Sequence, residues 1–129
     1  MIEGAAGCLA VYVRNIEESL RFYVSALGFE RHGGREGSVE ISLPGARAGA
    51  GAWLRLVQPE AAGLPLSVIG GETGVIFRTQ EMQETYEELL ERGVSFLCEP
   101  TLRRWDLSEA RFTDPDGNRF LLVKEWAAS

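Results

Sequence analysis

The sequence predicts an α+β fold built from two successive strand–helix–strand–strand–strand units. Three observations carry this. Short alternating apolar runs and amphipathic stretches follow one another in the same order twice along the chain. Matching landmarks recur at a nearly constant distance: Gly74 lies 66 residues after Cys8, Leu121 lies 66 after Arg55, and Gly93 lies 65 after Gly28. Between the halves, Gln58 to Gly71 is rich in Pro, Gly and Ala and reads as a connector. Two copies of a unit that cannot close its own core are expected to pack as one domain. The expectation is therefore a single domain over 1–129, with module one at about 8–57, a connector at about 58–71 and module two at about 72–125.

The elements follow in order. Cys8 to Val13 alternates and reads as a strand. Asn15 offers a helix N-cap, with Glu17 and Glu18 in the first turn where acids suit the dipole. Ile16, Leu20, Val24 and Leu27 give that helix one buried stripe, and Gly28 ends it. Phe29 opens a strand. His32 sits beside Gly33-Gly34-Arg35-Glu36-Gly37, which reads as a hairpin-like loop, and is expected at the surface. Val39, Ile41 and Leu43 alternate with Ser38, Glu40 and Ser42, which marks a half-buried strand, and Trp53 to Val57 makes another.

The second half repeats the plan. Gly74 to Thr79 is a strand, and Thr79 is positioned to cap a helix whose apolar stripe is Met82, Tyr86, Leu89 and Leu90. Its acidic face, Glu81, Glu84, Glu87, Glu88 and Glu91, is expected in solvent. Gly93 ends it. Val94 to Cys98, Ala110 to Thr113 and Phe120 to Glu125 are strands. The last two are joined by Asp114-Pro115-Asp116-Gly117-Asn118, where Pro presets a type I turn and Gly accepts the left-handed conformation that closes it.

Composition bounds the function. Apolar residues make up 45% and charged residues 25%, a globular mixture with no run approaching the ~18 apolar residues of a membrane span. Thirteen basic against 19 acidic residues give a net charge of −6, which disfavours nucleic acid or an anionic membrane as partner. Met1 to Gly4 lacks the basic start and apolar core of a secretory signal, and two cysteines without one suggest the cytoplasm. Both cysteines, Cys8 and Cys98, are expected as small buried hydrophobes. The single histidine, His32, excludes any multi-histidine metal site within one chain.

Two stretches resemble a known superfamily. Val13-Arg14-Asn15-Ile16-Glu17-Glu18-Ser19-Leu20-Arg21-Phe22-Tyr23 with Leu27-Gly28-Phe29 is similar to the opening of vicinal oxygen chelate proteins. These include glyoxalase I, bleomycin-resistance proteins and extradiol dioxygenases. Glu99-Pro100, Trp105 and Phe112 to Asn118 resemble the C-terminal signature of that superfamily. The resemblance spans Cys8 to Glu125. It implies paired βαβββ modules whose mixed sheets curve around a pocket, usually in a homodimer. It also places metal ligands of the catalytic members at Cys8, Arg55, Gly74 and Leu121. None of these is the usual His, Gln or Glu; Gly74 and Leu121 carry no donor, and Arg55 repels a cation. Metal and cofactor are accordingly expected to be absent.

Strand alternation names the side chains sharing a face with those positions: Tyr12, Trp53, Arg55, Arg78, Leu121 and Glu125 among them. Such a surface suits a small ligand with a flat apolar body and a polar or anionic group. Tyr12 and Trp53 either line the pocket or fill core volume. Arg78 and Glu125 either meet ligand or form a rim ion pair worth roughly 0–1 kcal/mol. Arg55 is either neutralised by Glu40 or Glu125, or takes an anionic ligand. Trp105 either caps the pocket or sits in a dimer contact.

The expected function is metal-free binding of a small amphipathic or anionic organic ligand, nearest to the bleomycin-resistance class. Whether the chain is an enzyme is left open. The alternative is a divalent-metal-dependent lyase, isomerase or dioxygenase whose ligands shift to Glu40, His32 or Glu125. A third reading is a non-catalytic module whose groove is filled by its own side chains.

Overall fold

Each half of the chain lays down one four-stranded mixed sheet, and the two sheets share one strand order. The computed structural model describes Met1 and residues 8–44, 53–102 and 108–124. It comprises two units, Met1–Gly70 and Gly71–Ser129. The first contains β1 (Leu9–Tyr12), α1 (Ile16–Leu20), β2 (Glu30–Arg35), β3 (Ser38–Ser42) and β4 (Trp53–Val57). The second contains β5 (Gly71–Arg78), α2 (Met82–Glu91), β6 (Ser95–Leu102), β7 (Ser108–Thr113) and β8 (Asn118–Lys124). The orders are β1-β4-β3-β2 and β5-β8-β7-β6. In each sheet the first strand runs parallel to the last, and the remaining pairs are antiparallel. This is the α+β tandem βαβββ plan that the repeat spacing predicts. Two short 3-10 turns, Pro59–Ala62 and Leu66–Val68, occupy the Pro- and Ala-rich stretch. Among the described residues no helix is long and apolar enough to cross a membrane.

Helix α1 begins where expected. Asn15 is extended (φ −142°, ψ 121°), and its Oδ1 accepts the Glu18 N–H at 2.9 Å. The chain then widens into a π-helical segment, Arg21–Ala26, in which the Leu27 N–H donates to the Phe22 carbonyl at 3.1 Å. The buried stripe runs through Ile16, Ser19, Leu20, Tyr23 and Ala26. Val24, expected inside, is 39% exposed. Tyr23 takes its place, edge-on to Phe22 and Phe29 at 5.1 and 5.8 Å.

In the second unit Thr79 does not cap α2. The helix starts at Met82 with Glu81 at the cap position, and Thr79 supports the entry from further upstream. Its Oγ1 accepts the Glu81 N–H at 3.2 Å and shares a hydrogen bond with Thr85 Oγ1 at 2.7 Å. Met82 and Leu89 are buried, whereas Leu90, one helical step further round, is exposed and leaves the expected stripe. Tyr86 meets Phe96 edge-on at 4.7 Å. Phe112 is the centre of the core on this side, with Phe77, Phe96 and Phe120 all within 6.1 Å between ring centroids. The five glutamates of the acidic face are exposed.

Two further expectations are corrected. His32 is exposed, as expected, but Gly33 to Arg35 continue β2 beyond it and are not a loop; the hairpin turn is the two residues Glu36 and Gly37, because Gly37 adopts φ +79° and lets the chain reverse at once. Cys8 and Cys98 are free and exposed. Cys8 precedes the first strand, and Cys98 sits on β6, the last strand in the order of its sheet, between two register irregularities.

Candidate functional site

Alternation decides what the first sheet shows on each side. Val11, Val39, Ile41, Leu54 and Leu56 are buried against the helical side. The intervening positions form the opposite face. The register aligns Ala10 with Arg55 and Arg55 with Glu40, so these three make one row across β1, β4 and β3. The next row pairs Ser42 with Trp53, and on the other side Tyr12 and Ser38 flank Val57. Tyr12 and Trp53 are half-buried and Arg55 is exposed. Sequence reasoning placed Tyr12, Trp53 and Arg55 on one face, and the register puts them there.

Arg55 already has a carboxylate partner. Its Nη2 donates to Glu40 Oε1 at 2.6 Å, an ion pair. This hydrogen bond is the main reason the Arg55 pKa is raised, with smaller favourable charge interactions from Cys8 and Glu40. Of the two carboxylates named for this role, Glu40 fills it; Glu125 lies outside the described residues, as does Trp105.

The same face holds His32, in an arrangement with Trp53 and Ser42 that the sequence does not predict. The His32 imidazole stacks on the Trp53 indole with centroids 4.4 Å apart and 17° between planes. Its Nε2 lies 2.6 Å from the Oγ of Ser42, a buried serine. Trp53 Nε1 is buried and has no hydrogen-bond partner among the described residues. The available signal was the polar run Ser38, Glu40, Ser42 at alternate positions, which marks one face of β3; the β3–β4 register that sets Trp53 beside it has no local sequence signature.

In the second sheet, Ile76 pairs with Leu121 and Leu121 with Arg111, and Arg78 pairs with Val123. Arg78 is exposed and Leu121 half-buried. Glu72 bridges Arg111 at 3.1 Å and Arg119 at 3.8 Å on this sheet.

The metal positions implied by the resemblance do not fit a divalent cation. Arg55 carries a permanent positive charge and is tied to Glu40. Gly74 has φ +78° inside a register irregularity between Glu72 and Ile76, so a ligating side chain there would be strained. Leu121 offers only methyl groups. Of the shifted ligands, Glu40 is engaged by Arg55, and His32 by Trp53 and Ser42. Among the described residues no three His, Cys, Asp or Glu side chains are grouped to hold an ion.

Known proteins share this architecture. The family profile of the Glyoxalase/Bleomycin resistance protein/Dioxygenase superfamily matches residues 6–122. The Bacillus subtilis (strain 168) protein YetH is 32% identical over 125 residues, covering 90% of this chain and 94% of YetH. A solved structure of a superfamily member from Sphaerobacter thermophilus DSM 20745 superposes with a TM-score of 0.79 at 32% identity, covering 93% of this chain and 96% of the other. TnmS3, an antibiotic binding protein from Streptomyces sp. CB03234, superposes with a TM-score of 0.75 at 26% identity, covering 98% and 99%. The family profile over residues 6–122 shows the family: the chain belongs to the Glyoxalase/Bleomycin resistance protein/Dioxygenase superfamily.

Proposed function

We propose that this chain binds a small organic molecule without a divalent metal, as a single domain that works as a homodimer in the cytoplasm. Its ligand is amphipathic or carries one anionic group; the candidate binding residues are Tyr12, Trp53 and Arg55 on the first unit and, taken separately, Arg78, Leu121 and Glu125 on the second. The observation that carries the reading is Arg55. A permanent cation held 2.6 Å from Glu40 occupies a position that the resemblance gives to a metal ligand. The likeness to TnmS3, an antibiotic binding protein, supports ligand binding as the activity.

Metal analysis of protein purified without chelator tests this. The expected result is no stoichiometric zinc, nickel, manganese or iron, and a melting temperature unchanged by a chelator. One equivalent of any of these would overturn the metal-free reading in favour of a lyase, isomerase or dioxygenase. Light scattering at micromolar concentration tests the dimer, and a monomer mass would remove it.

A further inference from the structure

A cavity of about 230 Å³ opens over the Arg55–Glu40 pair, lined by Gly33, Gly34, Arg35, Ser38, Glu40 and Arg55. Its charged groups are two guanidiniums and one carboxylate, an excess of one positive charge. Arg55 uses only Nη2 on Glu40, and its other N–H groups have no partner among the described residues. The Arg35 guanidinium makes no hydrogen bond or ion pair among them either. Donors remain for an anionic oxygen. The volume falls below the roughly 300–1,000 Å³ of a pocket that encloses a drug-sized ligand. A head group fits inside; a larger body must lie outside.

A surface for that body is adjacent. The Ser42–Trp53 pair follows the Glu40–Arg55 pair two residues along each strand, about 7 Å away. There His32, the chain neighbour of Gly33, stacks on Trp53 and is held by buried Ser42. His32 is exposed while Trp53 is half-buried, so the indole backs one face of the imidazole and the opposite side faces solvent. A ring lying on that side extends an existing stack whose orientation is already fixed.

We infer that the first sheet carries a two-part site for a flat aromatic monoanion: the anionic oxygens enter the Arg35–Arg55 cavity and the ring system lies on His32. Trp53 and Ser42 are positioning residues that hold the imidazole. Glu40 leaves one net positive charge in the cavity and so selects against a dianion. This rests on the small-molecule-binding reading and gives the ligand its chemical class.

The test is calorimetric titration with two probes sharing a head group, 2-naphthalenesulfonate and 1-octanesulfonate. The wild type is expected to prefer the naphthalene probe by about fivefold or more. His32→Ala should erase that preference and His32→Phe should keep it. Arg55→Leu should weaken both probes by about tenfold, and Arg35→Gln, on an exposed side chain, serves as a second variant should Arg55→Leu disturb the sheet. Thermal melts of each variant establish that it is folded. Equal affinity for the two probes, an unchanged preference in His32→Ala, or no binding of either probe would overturn the inference. Metal content is a separate readout: a stoichiometric metal would end the metal-free reading, while the probe preferences still decide this one.

Discussion

Glu40 lies directly opposite Arg55 in the β3–β4 register, and the Arg55 Nη2 reaches its Oε1 at 2.6 Å. The side chains keep 45% and 34% of their exposure, for Arg55 and Glu40 respectively. Water therefore screens most of the attraction, and the pair is worth about 0–1 kcal/mol. A double-mutant cycle of Arg55→Leu and Glu40→Leu, read by urea unfolding, should give a coupling energy in that range. Arg55 has a raised pKa, so its contribution is complete below the unfolded value and is lost only when pH climbs past the folded one. Both lie far above neutrality, so Arg55 imposes no pH dependence on stability in the neutral range. A coupling above about 2 kcal/mol would mean that the pair is sealed from water in solution.

The turn between β7 and β8 concentrates more stability in one side chain. Asp114 is 3% exposed. Its Oδ1 accepts the N–H groups of Asp116 and Asn118 at 2.9 Å each, and its Oδ2 accepts from Asn118 Nδ2 at 2.8 Å. Asp114→Ala leaves these donors without their acceptor, the buried Asn118 N–H among them. The expected loss is about 2–4 kcal/mol in urea unfolding. Asp114→Asn, which keeps one acceptor oxygen, should lose less. Equal losses for the two variants would show that the oxygen count at this turn is not what stabilises it.

The contrast between that turn and the His32 stack shows what a sequence exposes. Asp114 to Asn118 was legible because the Asp114 carboxylate's hydrogen bonds to Asp116 and Asn118 join residues at most four apart. The same locality made the Asn15 cap readable, and strand alternation placed Trp53, Arg55 and Tyr12 on one face. The partners of His32 were not legible because Ser42 and Trp53 belong to two other strands. No local pattern reports a stack across a sheet, and the two glycines after His32 look like a loop when read alone. Arg55 was open to two readings for a similar reason. Its neighbour in space is set by register, and either of two carboxylates satisfied the sequence.

Those two glycines differ in a way that mutagenesis should reveal. A Cβ at Gly34 would sit 2.6 Å from the Ser38 carbonyl oxygen and 3.1 Å from Val39 Cα, both backbone atoms that cannot swing aside. Gly34→Ala must push β2 off β3 and is expected to lose about 1–3 kcal/mol. A Cβ at Gly33 meets nothing within 4 Å. Gly33→Ala should stay within about 0.5 kcal/mol of the wild type. Thermal unfolding of the two variants side by side is the measurement. Similar melting temperatures would mean that the hairpin is looser in solution than the close approach of β2 and β3 implies.

The π-helical segment makes the sharpest claim about packing, because it reverses which of two adjacent residues is inside. A regular reading of the first helix buries Val24. The i→i+5 hydrogen bond from Leu27 to Phe22 accompanies a different phase, in which Tyr23 is fully buried and Val24 is 39% exposed. Tyr23 stands between Phe22 and Phe29 in two edge-on contacts, so removing its ring opens a cavity and ends both. Tyr23→Ala should lose about 3–5 kcal/mol, the usual range for deleting a buried aromatic. Val24→Ser changes a surface position and should stay within about 0.5 kcal/mol. Urea unfolding resolves a difference of that size easily. If Val24→Ser proves the more damaging change, the helix in solution follows the regular phase and the π segment is not its ground state.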